Sequence, residues 1–260
     1  MPLLNIGEST LYYSVKGNGV PIVFIHPPLL TSANFHYQSE DLSKEFKVIT
    51  FDIRGHGKSG SSKQNITYPL IADDIVRLLD HLEIDKAYLC GYSTGGGVVL
   101  EFLLTQPGRA LGGIIISGMS EVKDLYLQQK IKLAARISNW KALSLLSFAI
   151  SWGNSNKREI YQKLYKEAVK GDPDNIHQYY NFSLHYNCTD QLNKIHLPVL
   201  LIYGEKDRSF HKYAQILHQK LPHNNLILLQ EEKHQIPTKA AEKLNKMIME
   251  HLHTIDDFHS

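Results

Sequence analysis

Short apolar strands alternating with amphipathic helices predict an α/β fold: a mostly parallel sheet with helices on both faces and an inserted helical cap. Three observations carry that expectation. The strand-like runs are apolar on both alternate positions, which marks strands covered on both sides. They alternate with helical patterns towards both ends of the chain. Between residues 119 and 192 the alternation stops, and no run there reads as a strand.

Residues 11–15, 21–25 and 48–51 read as the first strands, bounded by Gly17, Gly19 and Asp52, with Pro21 at a strand start where a missing N–H is tolerated. Residues 70–82 place Ile71, Ile75, Leu78, Leu79 and Leu82 at helical spacing, with Asp73 and Asp74 near the start, where they suit the positive end of a helix dipole. Residues 87–90 form a short buried strand, 94–105 a helix stopped before Pro107, and 111–117 an isoleucine-rich strand. Helical runs at 126–150, 157–169 and 175–186 fill the middle. Its aromatics, Tyr126, Trp140, Phe148, Trp152, Tyr161, Tyr165, Tyr179, Tyr180, Phe182 and Tyr186, offer apolar faces either to ordinary helix packing or to the roof of a cavity. The sheet pattern resumes with a strand at 199–203, a helix at 212–220, a strand at 226–229 and a helix at 239–251, before a polar tail expected to fray. The expected division is a core of residues 1–118 and 193–260 with a cap of residues 119–192.

Composition narrows the function classes. The 260 residues are 43% hydrophobic and 21% charged, enough for one sizeable core, which excludes disorder and a small disulfide scaffold. Twenty-eight Lys and Arg against 26 Asp and Glu give a net charge of +2, too little to single out nucleic acid as a partner. No run reaches the roughly 18 apolar residues of a membrane span, and the first residues lack a secretory pattern, so a cytoplasmic protein is expected. Cys90 and Cys188 are expected to stay unpaired, Cys90 as a buried thiol.

The chemistry concentrates at Gly91-Tyr92-Ser93-Thr94-Gly95, where a buried strand runs directly into a helix. Such a turn holds its serine clear of the sheet, and its neighbours must be small for the backbone to close. The helix start directs unpaired N–H groups at the space above Ser93, with Thr94 supplying the first. Gly96 and Gly97 then imply a first helical turn lying tight against sheet or substrate.

A serine hydroxyl needs a base, and His234 stands on a short loop after the strand at 226–229. That histidine needs a carboxylate to fix its tautomer. Asp207 follows the strand at 199–203 on the turn Gly204-Glu205-Lys206, with Glu205 as its nearest rival and Glu121 or Asp124 as weaker ones. His26 and His56 read as loop braces and not as metal ligands, with Asp52 and Ser59 ordering the loop beneath the site and Gly55 and Gly57 permitting its tight path.

The order Ser93, Asp207, His234 on such a turn resembles the alpha/beta-hydrolase fold superfamily, in its capped serine hydrolase branch. Residues 51–59, FDIRGHGKS, look like that family's loop after its third core strand, and residues 198–207, PVLLIYGEKD, look like its acid-bearing strand and turn. The resemblance implies an eight-stranded sheet and a hydrolase of small carboxylic esters or related acyl substrates working through an acyl-enzyme, with no cofactor and no metal. It also departs from the family in two places. Where the family has His-Gly and then an oxyanion donor, this chain reads His26-Pro27-Pro28-Leu29, so Pro28 stands in the donor position without an N–H and Leu29 becomes the expected second donor beside Thr94. Glu231-Glu232-Lys233 stands where the family has a glycine-containing turn.

The same site serves an esterase, a lactonase, a carbon–carbon bond hydrolase or a perhydrolase, and residues 93–97, STGGG, are similar to the cofactor-free haloperoxidases and related perhydrolases. Epoxide hydrolases and haloalkane dehalogenases are disfavoured because they attack with aspartate where this chain has Ser93. The alternative from another class is a slow-turnover small-molecule receptor or regulatory protein with a protein partner. Tight association with a particular cellular protein that persists in Ser93→Ala would mark that role, whereas an enzyme would fold normally and lose acyl transfer.

Overall fold

The computed structural model describes residues 2–138 and 142–257, with side chains to residue 254. Trp140 lies outside the described residues. The chain forms β1 (Leu3–Asn5), β2 (Thr10–Lys16), β3 (Pro21–Ile25), α1 (His36–Asp41), β4 (Lys47–Phe51), α2 (Tyr68–His81), β5 (Ala87–Tyr92), α3 (Thr94–Thr105) and β6 (Ala110–Ile116). Four helices follow, α4 (Leu125–Ile137), α5 (Leu143–Gly153), α6 (Arg158–Ala168) and α7 (Pro173–His185). The chain then returns as β7 (Val199–Gly204), α8 (His211–Lys220), β8 (Asn224–Leu229), α9 (Ile236–Lys239) and α10 (Ala241–Asp257).

The eight strands form one sheet in the order β1-β2-β4-β3-β5-β6-β7-β8. β1 and β2 run antiparallel to their neighbours, and every pairing from β4 to β8 is parallel. The strands that hold the site, β5 and β7, are buried along their whole length, as uniformly apolar runs between two helical layers must be. Alternate residues feed opposite faces: Leu89 and Leu201 pack on one side, Cys90 and Ile202 on the other. Both cysteines are buried free thiols, and burial pushes Cys90 well up and Cys188 up to about 12.

The helical cap, α4 to α7, is inserted between β6 and β7. The expected run at 126–150 is two helices, since α4 ends at Ile137 and α5 begins at Leu143. Strand β1 and helix α1 were not legible in the sequence. β1 has three residues, two of them exposed, and α1 has six with a single buried residue, so neither leaves a periodic apolar pattern.

Candidate active site

β5 runs into Ser93, which takes φ 54° and ψ −120° before α3 begins. A non-glycine residue in this region stores roughly 1–3 kcal/mol of strain, and the surrounding backbone holds it there. The Ser93 N–H donates to Ile116 O at 2.8 Å, and Ser93 O accepts from the Gly96 N–H at 2.9 Å. A Cβ on Gly91 would lie 2.2 Å from Gly95 O, and one on Gly95 would lie 2.3 Å from Ile25 O, so the turn closes only around bare backbone. At Gly97 a Cβ would come within 2.6 Å of the Tyr68 ring, while Gly96 faces Ile115 and Gly118. The first turn of α3 is therefore tight against sheet and α2.

His234 brings its Nε2 to 3.1 Å from Ser93 Oγ and its Nδ1 to 2.7 Å from Asp207 Oδ2. The loops after β7 and β8 are tied to each other to achieve this. Glu205 N–H donates to Leu229 O and Lys206 N–H to Glu232 O, and a Cβ on Gly204 would strike Glu232 O at 2.4 Å. Asp207 is buried and also accepts from Ser209 Oγ at 3.1 Å, while the imidazole lies between the rings of Phe210 and Tyr92, with centroids at 4.3 and 5.4 Å. The rival acids are engaged elsewhere. Glu205 accepts the Glu231 N–H, Glu121 accepts from Asn187, and Asp124 caps α4 and pairs with Lys212.

The glutamate-rich turn closes with a residue in the left-handed region that favours glycine. Glu231 itself adopts φ 66°. Its carboxylate pairs with Lys206 and that of Glu232 with Lys243, so both charges are matched by lysines.

The loop after β3 is pinned from two sides. His26 donates from Nδ1 to Pro27 O and accepts the Ile53 N–H at Nε2, both at 2.9 Å, which fixes a neutral ring. From α7, the Tyr179 hydroxyl donates to His26 O at 3.1 Å and the Tyr180 hydroxyl to Pro28 O at 3.4 Å. Burial lowers His26 to about 4; burial and then the neighbouring His26 ring lower His56 to about 3. Asp52 accepts the Ser32 and Lys58 N–H groups, and Ser59 donates to Asp52 O, bracing the next loop, where Gly55 and Gly57 take φ of 69° and 53°.

A cavity of about 300 Å³ sits over Ser93. Ser93, Thr94, Asp207, His234 and Pro28 all line it; Leu29, with φ 70°, sends its side chain into the core and does not. Thr94 is the first residue of α3, where the N–H has no intrahelical acceptor. The roof is mainly aliphatic, from Leu127 and Ile131 of α4 and Ile150 of α5. Among the described cap aromatics, only Tyr180 reaches the wall. Phe182 and Tyr186 pack with tilted rings against Tyr68, away from the cavity wall, and Tyr126, Phe148 and Trp152 face outwards, because helical periodicity gives the inward positions to the leucine and isoleucines.

A family model described as alpha/beta hydrolase fold matches residues 20–237. The chain belongs to the alpha/beta hydrolase fold family. AB hydrolase superfamily protein YisY of Bacillus subtilis is 32% identical over 108 residues, 41% of this chain and 40% of that protein. Serine hydrolase BPHL of Homo sapiens is 25% identical over 246 residues, 91% of this chain and 81% of that protein. A structure from a study of carboxylesterases of the thaumarchaeon Nitrososphaera gargenis has a TM-score of 0.85 at 20% identity, covering 98% of this chain and 99% of that one, which shows a shared fold. This alpha/beta hydrolase spans 40% of the length of YisY and 29% of that of the sn-1-specific diacylglycerol lipase ABHD11 of Danio rerio.

Within this alpha/beta hydrolase, sequence reasoning missed the side chains that position the imidazole. Ser209 and Phe210 follow Asp207 by two and three residues, and Tyr92 precedes Ser93; only their adjacency to the motif residues marked them. It also missed the buried bidentate pair of Arg54 with Asp74, at 2.7 and 2.6 Å, which joins the loop after β4 to α2.

Proposed function

We propose that this alpha/beta hydrolase is a serine hydrolase that cleaves small carboxylic esters or related acyl compounds through an acyl-enzyme. The observation that carries the reading is the continuous chain from Asp207 Oδ2 through His234 to Ser93 Oγ, at 2.7 and 3.1 Å, on the floor of a cavity with an aliphatic roof. Ser93 Oγ attacks the carbonyl carbon while His234 Nε2 takes its proton, and the same histidine then protonates the leaving group. Water deprotonated by His234 releases the acid. Asp207 keeps Nδ1–H as the donor and stabilises the imidazolium without taking its proton. The N–H of Thr94 faces the developing oxyanion, and Leu29 offers the first N–H after the two prolines. Esters, lactones, ketonic carbon–carbon bonds and peracid formation all pass through this first attack, so the cavity selects among them.

The test is Ser93→Ala. The variant is expected to keep the thermal stability of the parent while losing both labelling by a fluorophosphonate and hydrolysis of p-nitrophenyl butyrate. Labelling that survives the substitution would overturn the assignment. A second reading, a slow-turnover small-molecule receptor, draws on Pro28 at the cavity wall, a residue without an N–H to give. It predicts tight retention of a ligand by the Ser93→Ala variant and negligible turnover by the parent across ester and lactone panels.

A further inference from the structure

The cap carries an outer surface that the reaction does not use. On α5, Leu145, Phe148 and Trp152 form one stripe at i, i+3 and i+7, and they are 67%, 50% and 65% exposed. On α4, Leu125, Tyr126 and Leu133 are likewise exposed. Phe148 and Trp152 stack with each other and meet Tyr161 of α6 edge-on, so the apolar face continues beyond one helix. Large apolar side chains gathered at a surface mark a place where something else excludes water.

Charge says what that is. Residues 125–158 contain Lys130, Lys132, Arg136, Lys141, Lys157 and Arg158 and neither Asp nor Glu. The remaining chain has 22 basic against 26 acidic residues and is net acidic. Among the described residues, Lys132, Arg136, Lys157 and Arg158 have no acidic partner within ion-pair distance. A second copy docking by the same face would bring two such cationic segments together, whereas exposed apolar side chains on a segment whose only charges are lysine and arginine suit the boundary between acyl chains and anionic headgroups.

We infer that the outer face of α4 and α5 docks onto an anionic lipid surface. The inner faces of these helices roof the cavity, with Leu127, Ile131 and Ile150 on the wall and Lys130 at its edge. Docking therefore places the roof of the cavity against the phase in which an apolar ester dissolves. The delivery of substrate rests on the hydrolase reading above; the adsorption does not.

The experiment is co-sedimentation of the full chain with vesicles of phosphatidylcholine alone and of phosphatidylcholine with about one-third phosphatidylglycerol. Binding is expected to the anionic vesicles only. Each basic residue near an anionic surface contributes about fivefold in partitioning, so Lys132→Gln/Arg136→Gln is expected to bind roughly 25-fold more weakly. Leu145→Ser/Phe148→Ser/Trp152→Ser is expected to abolish binding while hydrolysing p-nitrophenyl butyrate in buffer at the parent rate. Ser93→Ala is expected to bind as the parent does, so failure of adsorption and failure of hydrolysis are read separately. The absence of binding to anionic vesicles would overturn the proposal. So would a dimer in sedimentation velocity that the triple serine variant dissolves, since the face would then belong to a second copy.

Discussion

Acidification should unfold this hydrolase through two histidines that take no part in the reaction. His26 and His56 lie with ring centroids 5.2 Å apart beneath the loops flanking the site, both buried, and burial holds them at about 4 and about 3. In the unfolded chain each titrates near 6.5. Above that pH both rings are neutral in both states and contribute no pH dependence. As pH falls below 6.5 the unfolded chain takes up protons that the folded chain refuses, so stability is present above 6.5 and is lost towards the folded values. The slope is about 1.4 kcal/mol per pH unit for each ring. Between pH 6.5 and 4 each ring therefore removes roughly 3 kcal/mol, a large share of a typical domain stability of about 5–15 kcal/mol. His26 has a further reason to resist, because its Nε2 must stay unprotonated to accept the Ile53 N–H. The assay is urea unfolding at half-unit intervals from pH 7.5 to 4.5, for the parent and for His56→Phe, which keeps a ring against His26 and Tyr179. The variant is expected to lose the contribution of one ring from the slope below pH 6.5. Equal slopes in the two proteins, or a His26 imidazole that titrates near 6.5 by NMR in the folded state, would refute the reasoning.

Three further outcomes follow from the geometry. Asp207→Asn keeps the shape of the site but removes the acceptor that fixes Nδ1–H of His234, and kcat is expected to fall by about 10⁴ with KM little changed; a loss under tenfold in steady-state kinetics would show that another acid does this work. Gly95→Ala forces a Cβ to 2.3 Å from Ile25 O and is expected to lower stability by about 1–3 kcal/mol, as overpacking does, with the loss of fluorophosphonate labelling; a fully active, equally stable variant would contradict the close approach of α3 to β3. Pro28→Gly restores an N–H at the cavity wall, and turnover of an activated ester is expected to rise by up to roughly 100-fold, the lower end of what one oxyanion donor supplies; a crystal structure with the Leu29 N–H already facing the oxyanion position, together with no gain in rate, would remove Pro28 as a constraint.

The alternation of uniformly apolar strands with helices, the helix that begins at Thr94 and the order of Ser93, Asp207 and His234 are local or sequential properties, written in period, turn chemistry and chain order. They sufficed to predict the mostly parallel sheet and to nominate the three side chains. Tertiary structure alone decided what depends on distance. Glu205 and Asp207 are two residues apart on one turn, and only the pairing of that turn with the loop after β8 sends one carboxylate to the imidazole and the other to a backbone N–H. The cap aromatics carry the same composition whether they roof a cavity or face outwards, and it is the packing of α4 and α5 that assigns the wall to Leu127, Ile131 and Ile150 and the outside to Phe148 and Trp152. A sequence records which side chains are available and how the backbone repeats; which of them meet is settled when separate elements bury their apolar faces against one another.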